Sequence, residues 1–312
     1  MVDSEYFIGN LTEASWIAEA TYGTYLTVNK PFGILQEFSP SFNHNTLALR
    51  TIGGNRDVSQ LLKMNKSIEA SMMMYIQDGM ILEHVLGTSV DAGIGGGLYT
   101  HTMIGSNTLD GISTELTMEK TTGDDDLVVR LEGGAFKSCS FEATAGEPVK
   151  FSGDLVYEDL NSVGTTKTVV AQRSYKPFIF YEGSVLVNGV PYARVNSWNF
   201  DIDNGMEVDP RIASEVIKRP VPTSRVYKFS MDYDIVNNAI NTIWADFSAV
   251  TVVLTCGRPT LPHTMVITLS SAVDNELDFN LAVEGVMKQA PGFIPQSAQI
   301  VVTDDIAAYP TP

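Results

Sequence analysis

Through most of this chain, apolar and polar residues alternate with the period of two that marks strands with one buried face. Ile68, Ala70, Met72, Met74 and Ile76 alternate with Glu69 and Ser71, and Trp198, Phe200 and Ile202 with Asn199, Asp201 and Asp203. Between Ile112 and Glu119 the same rule puts Ile112, Thr114, Leu116 and Met118 on a packed face and Ser113, Glu115, Thr117 and Glu119 on a wet one. Further strands are expected at 25–28, 127–131, 137–144, 149–157, 227–233, 250–255, 263–270 and 276–283. Between Ser184 and Val195 the dipeptide Asn188-Gly189 supplies the two positive φ angles of a type I′ turn, which predicts a hairpin.

Two segments switch to helical spacing. In 78–87, Ile81, Leu82, Val85 and Leu86 share a face, with Asp78 placed to cap the start and Gly87 the end. Ile235, Ala239, Ile240, Ile243 and Trp244 form a second stripe. The stretch 91–107, with Gly93, Gly95, Gly96, Gly97 and Gly105, reads as a flexible exposed loop, and 159–176 as a linker. The Pro-bearing segment 290–312 reads as a tail with one strand-prone run, Gln299–Thr303, suited to pairing with a neighbour.

The order repeats. Ser41-Phe42-Asn43 returns as Ser197-Trp198-Asn199, and the segment 74–78 returns in pattern at 230–234, an offset of about 156 residues. A unit built twice points to a surface repeated around an axis or along a fibre. The chain's 312 residues and 44% hydrophobic content suffice for two cores. A formal charge of −17 argues against a protein that grips nucleic acid, which needs clustered Lys and Arg. No run approaches the roughly 18 apolar residues of a membrane helix, so membrane insertion is not expected. Residues 1–20 lack a basic start followed by an apolar run, so synthesis in the cytoplasm is the expectation.

Little chemistry is on offer. Cys139 and Cys256 sit in strand-like runs as buried thiols, and the four histidines are scattered without metal spacing. Asp124-Asp125-Asp126 reads as a solvated hairpin tip, and the glycines at 93–97 lack the Lys-Ser/Thr of a phosphate loop. There is no nucleophile elbow, and no catalytic residue, metal or cofactor is expected.

The run from Pro177 to Gly189, followed by Trp198–Asn204, resembles the mid-chain segment of the long, two-domain tail tube proteins of siphovirus-like particles. Gly54-Asn55-Arg56-Asp57, a strand, and the 78–87 helix are similar to that family's first half. The resemblance covers roughly 25–290 and implies a mainly β chain of two tandem tail-tube-type β-sandwiches, each with one short α-helix, closing into a ring with a continuous inner β-barrel. The expected division is an N-terminal arm at 1–24, sandwiches at 25–158 and 177–290 around the linker, and a C-terminal arm at 291–312.

With two units per chain, three chains close a pseudo-sixfold ring, with a hexamer as second choice. The implied protein is a virion component, made in the host cytoplasm, that meets tape measure, tail terminator and baseplate proteins and passes double-stranded DNA as transient cargo. Glu115, Glu119, Asp201 and Asp203 are candidate lumen positions, which outside solvent would suit equally. Gly93, Gly95, Gly96 and Gly97 mark a candidate ring-stacking loop, with the terminal arms as further locks. The rival readings are the inner tube of a contractile injection machine and a carbohydrate-binding β-sandwich, for which Trp16, Trp198 and Trp244 are the aromatic candidates.

Overall fold

A computed structural model describes all residues except 1–6, 51–57, 59, 121–125, 193, 208–219, 236–237, 259–260, 281–286 and 310–312. The Gly54–Asp57 segment, and Asp124 and Asp125 of the acidic tip, therefore lie outside the described residues. The chain is almost entirely antiparallel β. Its first half holds β1 (Phe7–Ala18), β2 (Lys30–Pro31), β3 (Ile34–Asn43), β4 (Thr46–Leu49), β5 (Gln60–Lys63), β6 (Ser67–Tyr75), α1 (Leu82–Leu86), β7 (Gly87–Gly95), β8 (Leu98–Gly105), β9 (Ile112–Lys120), β10 (Leu127–Thr144), β11 (Lys150–Tyr157) and β12 (Asp159–Gly164). The second half holds β13 (Ile179–Val187), β14 (Val190–Pro191), β15 (Val195–Asp203), β16 (Met206–Glu207), β17 (Val221–Pro222), β18 (Val226–Asp234), α2 (Ala239–Ala245), β19 (Ala249–Arg258), β20 (Leu261–Asn280), β21 (Lys288–Ile294) and β22 (Ser297–Asp304).

Two long strands organise everything. β10 serves one sheet with its first half, in the order β2-β1-β9-β10-β12, and a second with its last half, in the order β3-β6-β11-β10. β20 repeats this, giving β14-β13-β19-β20-β22 and β15-β18-β21-β20. The repeat extends to its irregularities. The bulge between Leu35 and Glu37 in β3 recurs between Val195 and Ser197 in β15, and the one between Phe136 and Ser138 in β10 recurs between Asp274 and Glu276 in β20. Registers agree as well: Ala70 faces Leu155 as Phe229 faces Phe293, and Met74 faces Phe151 as Tyr233 faces Gln289. Glu37 thus matches Ser197, a spacing of 160, and the 156-residue spacing read from Ser41-Phe42-Asn43 is four residues short.

The two units fuse along one seam. β10 pairs with β15 from Ser138↔Asp203 to Thr144↔Ser197, so the two inner sheets run together as eight strands, β3-β6-β11-β10-β15-β18-β21-β20. An aromatic row crosses beneath the seam from Phe136 through Phe151, Phe141 and Phe200 to Tyr227, with centroids 5.2–6.1 Å apart. The core is therefore shared between the halves.

Several expected boundaries move. Residues 7–18, expected in an arm, form β1, with Ala14 and Trp16 buried, whereas 25–28 form no strand. The expected linker contributes β12, paired to β10. The expected C-terminal arm supplies the end of β21 and all of β22: β22 lies between β20 and β8, and Phe293, Ile300, Val302 and Tyr309 are buried. The tail's partner is its own chain. The expected flexible loop is the hairpin β7–β8, an insertion without a counterpart in the second unit, and its glycines serve the turn, Gly95, Gly96 and Gly97 all having positive φ.

Asn188 and Gly189 adopt φ 51° and 76° and join β13 to β14 as the dipeptide predicts. Gly87 ends α1 in the left-handed conformation, but Asp78 sits before the helix, accepting from Met80 N–H, and Ile81 is the N-cap residue. In α2 only Ile240 is buried, and Trp244 is half exposed.

Candidate lumen face and assembly edges

The eight-strand sheet has one buried face and one wet face, and the wet one carries the candidate chemistry. Alternation turns Trp198, Phe200 and Ile202 of β15 inward, which forces Asn199, Asp201 and Asp203 outward. Register then fixes their neighbours: Asp201 lies between Ser140 of β10 and Lys228 of β18, and Asp203 between Ser138 and Val226. A groove of about 630 Å³ follows, lined by Ser71, Met73, Ser138, Ser140, Asp154, Asp201, Asp203 and Lys228.

The face is serine-rich and acidic. Glu37, Glu69, Glu142, Asp154, Asp201, Asp203, Asp232, Glu276 and Asp278 share it with Lys150, Lys228 and Lys288. Two of those lysines are already paired, Lys150 with Glu142 at 3.0 Å and Lys288 with Asp232 at 3.2 Å. Such a surface has no cluster of cations to hold a phosphate backbone.

Glu115 and Glu119 belong elsewhere, on β9 in the outer sheet. The expected wet face of β9 is covered: Glu115 is 2% exposed. Its carboxylate accepts from Arg130 Nε at 2.8 Å, the Thr168 backbone N–H at 2.6 Å, Thr168 Oγ1 at 3.1 Å and Tyr25 Oη at 3.2 Å. Burial beside Glu115 pushes the Tyr25 phenol up to about 12. Chain segments around residues 19–29 and 165–168 lie over this sheet, and Ser113 donates to Glu19 at 2.9 Å. Every buried polar group here has a partner, which is how an alternating strand can be buried on both faces. Glu119 is half-buried and ion-paired with Lys167. The structure therefore groups Asp201 with Asp203 and separates both from Glu115 and Glu119.

Gly93, Gly95, Gly96 and Gly97 stand at the exposed tip of the insertion hairpin. Its base is clamped. His101 on β8 is fully buried, with Nδ1 2.7 Å from Asp91 of β7 and Nε2 3.1 Å from Asp304 of β22. Tyr309 stacks on the imidazole at 3.5 Å, donates to Asp304 at 2.7 Å and accepts from Gly79 N–H at 2.9 Å. Burial alone would lower the His101 pKa, but the hydrogen bonds and charges of the two aspartates outweigh it and hold it above the ordinary value. Nothing in the local pattern signals this clamp, because its members are about 200 residues apart.

Trp16, Trp198 and both cysteines are accounted for by packing, whereas Trp244 on α2 is half exposed. Trp16 and Trp198 are buried and offer no platform to a sugar, and burial pushes the Cys256 thiol up to about 12 and that of Cys139 well above its ordinary value. Among the described residues no group of His, Cys, Asp and Glu is arranged to hold a metal, and no helix is long and apolar enough to cross a membrane.

Doubled β-sandwiches, a shared wet face and open strand edges are what a polymerising wall needs, and a family model described as phage tail tube protein matches residues 9–298. The chain belongs to the phage tail tube protein family. No curated protein matches it. As a member of the tail tube family it is a structural component of the virion that self-assembles into the tail tube. Neither an injection-machine tube nor a sugar-binding module is favoured.

Proposed function

We propose that three chains close one ring of the tube and that the wet face of the eight-strand sheet lines its bore. The carrying observation is the β10–β15 seam, where two units already join inner sheets edge to edge within one chain. Repeating that joint between chains gives a wall of six units, eight strands from each of three chains. It pairs the edges of β3 and β20 that the single chain leaves open.

The proposed bore carries Asp201 and Asp203 among a majority of acids, so duplex DNA, with about one negative charge per 1.7 Å, slides past without being held. Glu115 and Glu119 stay in the outer sheet. Stacking falls to two exposed hairpins of the first unit: the β7–β8 tip with Gly93, Gly95, Gly96 and Gly97, and β4–β5, which exposes Leu47, Leu61 and Leu62. By resemblance to the family, the ends of the tube meet tape measure, terminator and baseplate proteins. Symmetry-averaged electron micrographs of the purified protein test the ring directly: hollow rods with three chains per layer are expected, and six chains per layer refute it.

A further inference from the structure

The repeat is regular enough to specify the joint between chains residue by residue. β10 matches β20 at a spacing of 138 (Ser138 with Glu276), and β15 matches β3 at 160 (Ser197 with Glu37). Within the chain, Ser138 faces Asp203 and Ser140 faces Asp201. Carrying both spacings across, we propose that the last half of β20 pairs antiparallel with β3 of a second copy, Glu276 opposite Asn43, Asp278 opposite Ser41 and Asn280 opposite Ser39. This rests on the ring reading above but commits to one register.

Burial supplies independent support. Phe42 and Phe279 are 48% and 50% exposed, while their counterparts at the internal seam, Ile202 and Phe141, are 1% and 0% exposed. Phe42 on β3 and Phe279 on β20 sit along the two open edges, and the proposed register brings them to the same covered face. Pro40 would then lie opposite Phe279 and donate no ladder bond, which suits a strand that waits unpaired at an edge.

A buried carboxylate marks the same edge. Asp274 is 1% exposed, has no side-chain donor among the described residues and only the backbone N–H groups of Glu276 and Gly292 beside its carboxylate, and it occupies the place that Phe136 holds in the first unit. At the internal seam Asn204 reaches that place, its N–H donating to Lys137 O at 2.9 Å and its Nδ2 to Phe136 O at 3.0 Å. Its counterpart on the β3 side is His44, which is exposed in the single chain. In the proposed register His44 of the second copy arrives beside Asp274 and gives that carboxylate the side-chain donor it lacks within the chain.

Disulfide trapping tests the register. The ladder bonds Asn204 N–H to Lys137 O and Ala145 N–H to Asn196 O make 138/203 and 140/201 the non-hydrogen-bonded pairs, so 276/43 and 278/41 are the close inter-chain pairs. Native Cys139 and Cys256 are buried and can remain. In assembled tubes, Asn43→Cys with Glu276→Cys should oxidise to covalent trimers, whereas Ser41→Cys with Glu276→Cys, one step out of register, should not. Linking by the slipped pair, or none by either pair in well-formed tubes, overturns the proposal; ladders extending past three chains uphold this seam and refute the ring of three. His44→Ala and Asp274→Asn should each raise the concentration for half-assembly about tenfold, and the double variant no further than either single one. Additive effects would remove the His44–Asp274 contact.

Discussion

Replacing Ile300 by Ala probes whether the C-terminal strands are part of the fold or a detachable lock. Ile300 is fully buried on β22, opposite Ile267 of β20 on one side and Met103 of β8 on the other, so its side chain joins the second unit to the insertion from the first. Truncating a core isoleucine costs about 2–5 kcal/mol, because the transfer energy is lost and a cavity remains. At roughly 3 kcal/mol the monomer's melting temperature should fall by about 6–12 °C. Val90→Ala, on the exposed face of the same insertion, is the control and should stay within about 0.5 kcal/mol. Deleting 297–312 removes Ile300, Val302 and Tyr309 and bares β8 and β20, a loss of about 6 kcal/mol, comparable to the whole stability of many domains. Thermal unfolding of monomer below the assembly concentration, followed by circular dichroism, measures both. If Ile300→Ala melts with wild type, or the truncated chain stays folded and fails only in stacking, the C-terminal segment is an external arm and the packing argument is wrong.

Glu83 on α1 is buried, and burial first, then the charges of Asp91 and Asp110, raise its pKa from 4.5 to about 7 while His101 pulls it down. The folded state therefore favours the protonated acid, and stability erodes as pH climbs from 4.5 through 7. Glu83→Gln should remove that slope and gain about 1–2 kcal/mol at pH 8 while matching wild type near pH 5; parallel melting profiles across that range would show that Glu83 finds another way to carry its charge. In a phage carrying Asp201→Lys and Asp203→Lys, tubes should form but genome ejection should slow, since four charge units per chain are added to the proposed bore for each double replacement. Unchanged ejection kinetics would take electrostatic sliding out of the account.

The inner sheet was legible because one of its faces meets water: alternation on β6, β15 and β18 assigns the faces correctly, and Asp201 and Asp203 with them. Alternation fails for β9, where Ser113, Glu115 and Thr117 are buried, since a strand covered on both faces reveals its polar side only through partners far away in sequence. The C-terminal strands were hidden by composition. β21 carries Pro291 and Gly292, yet both lie where β20 and β18 accept them. The glycines of the insertion suggest flexibility, but three of them make its turn while its sides pair in full register. Duplication was legible and its spacing was not, because unequal loops and the β7–β8 insertion make the offset 160 at β3 and 138 at β10, so no single spacing aligns the two halves.

Doubling the sandwich changes the assembly problem itself. In the proposed ring three of six seams are covalently guaranteed, and the aromatic row through Phe141 and Phe200 shows how tightly a guaranteed seam packs. The remaining three must form by encounter, so their edges have to stay soluble until a partner arrives. The exposed edges carry the features that achieve this: Pro40 in β3, and Glu276 and Asp278 in β20, beside only a few large apolar residues. An internal seam built with the same restraint would waste stability, and an external seam as apolar as the internal one would pair indiscriminately. The divergence of Ser138 from Glu276, Ser140 from Asp278 and Phe136 from Asp274 is what one repeat becomes when its two copies of a joint face different risks.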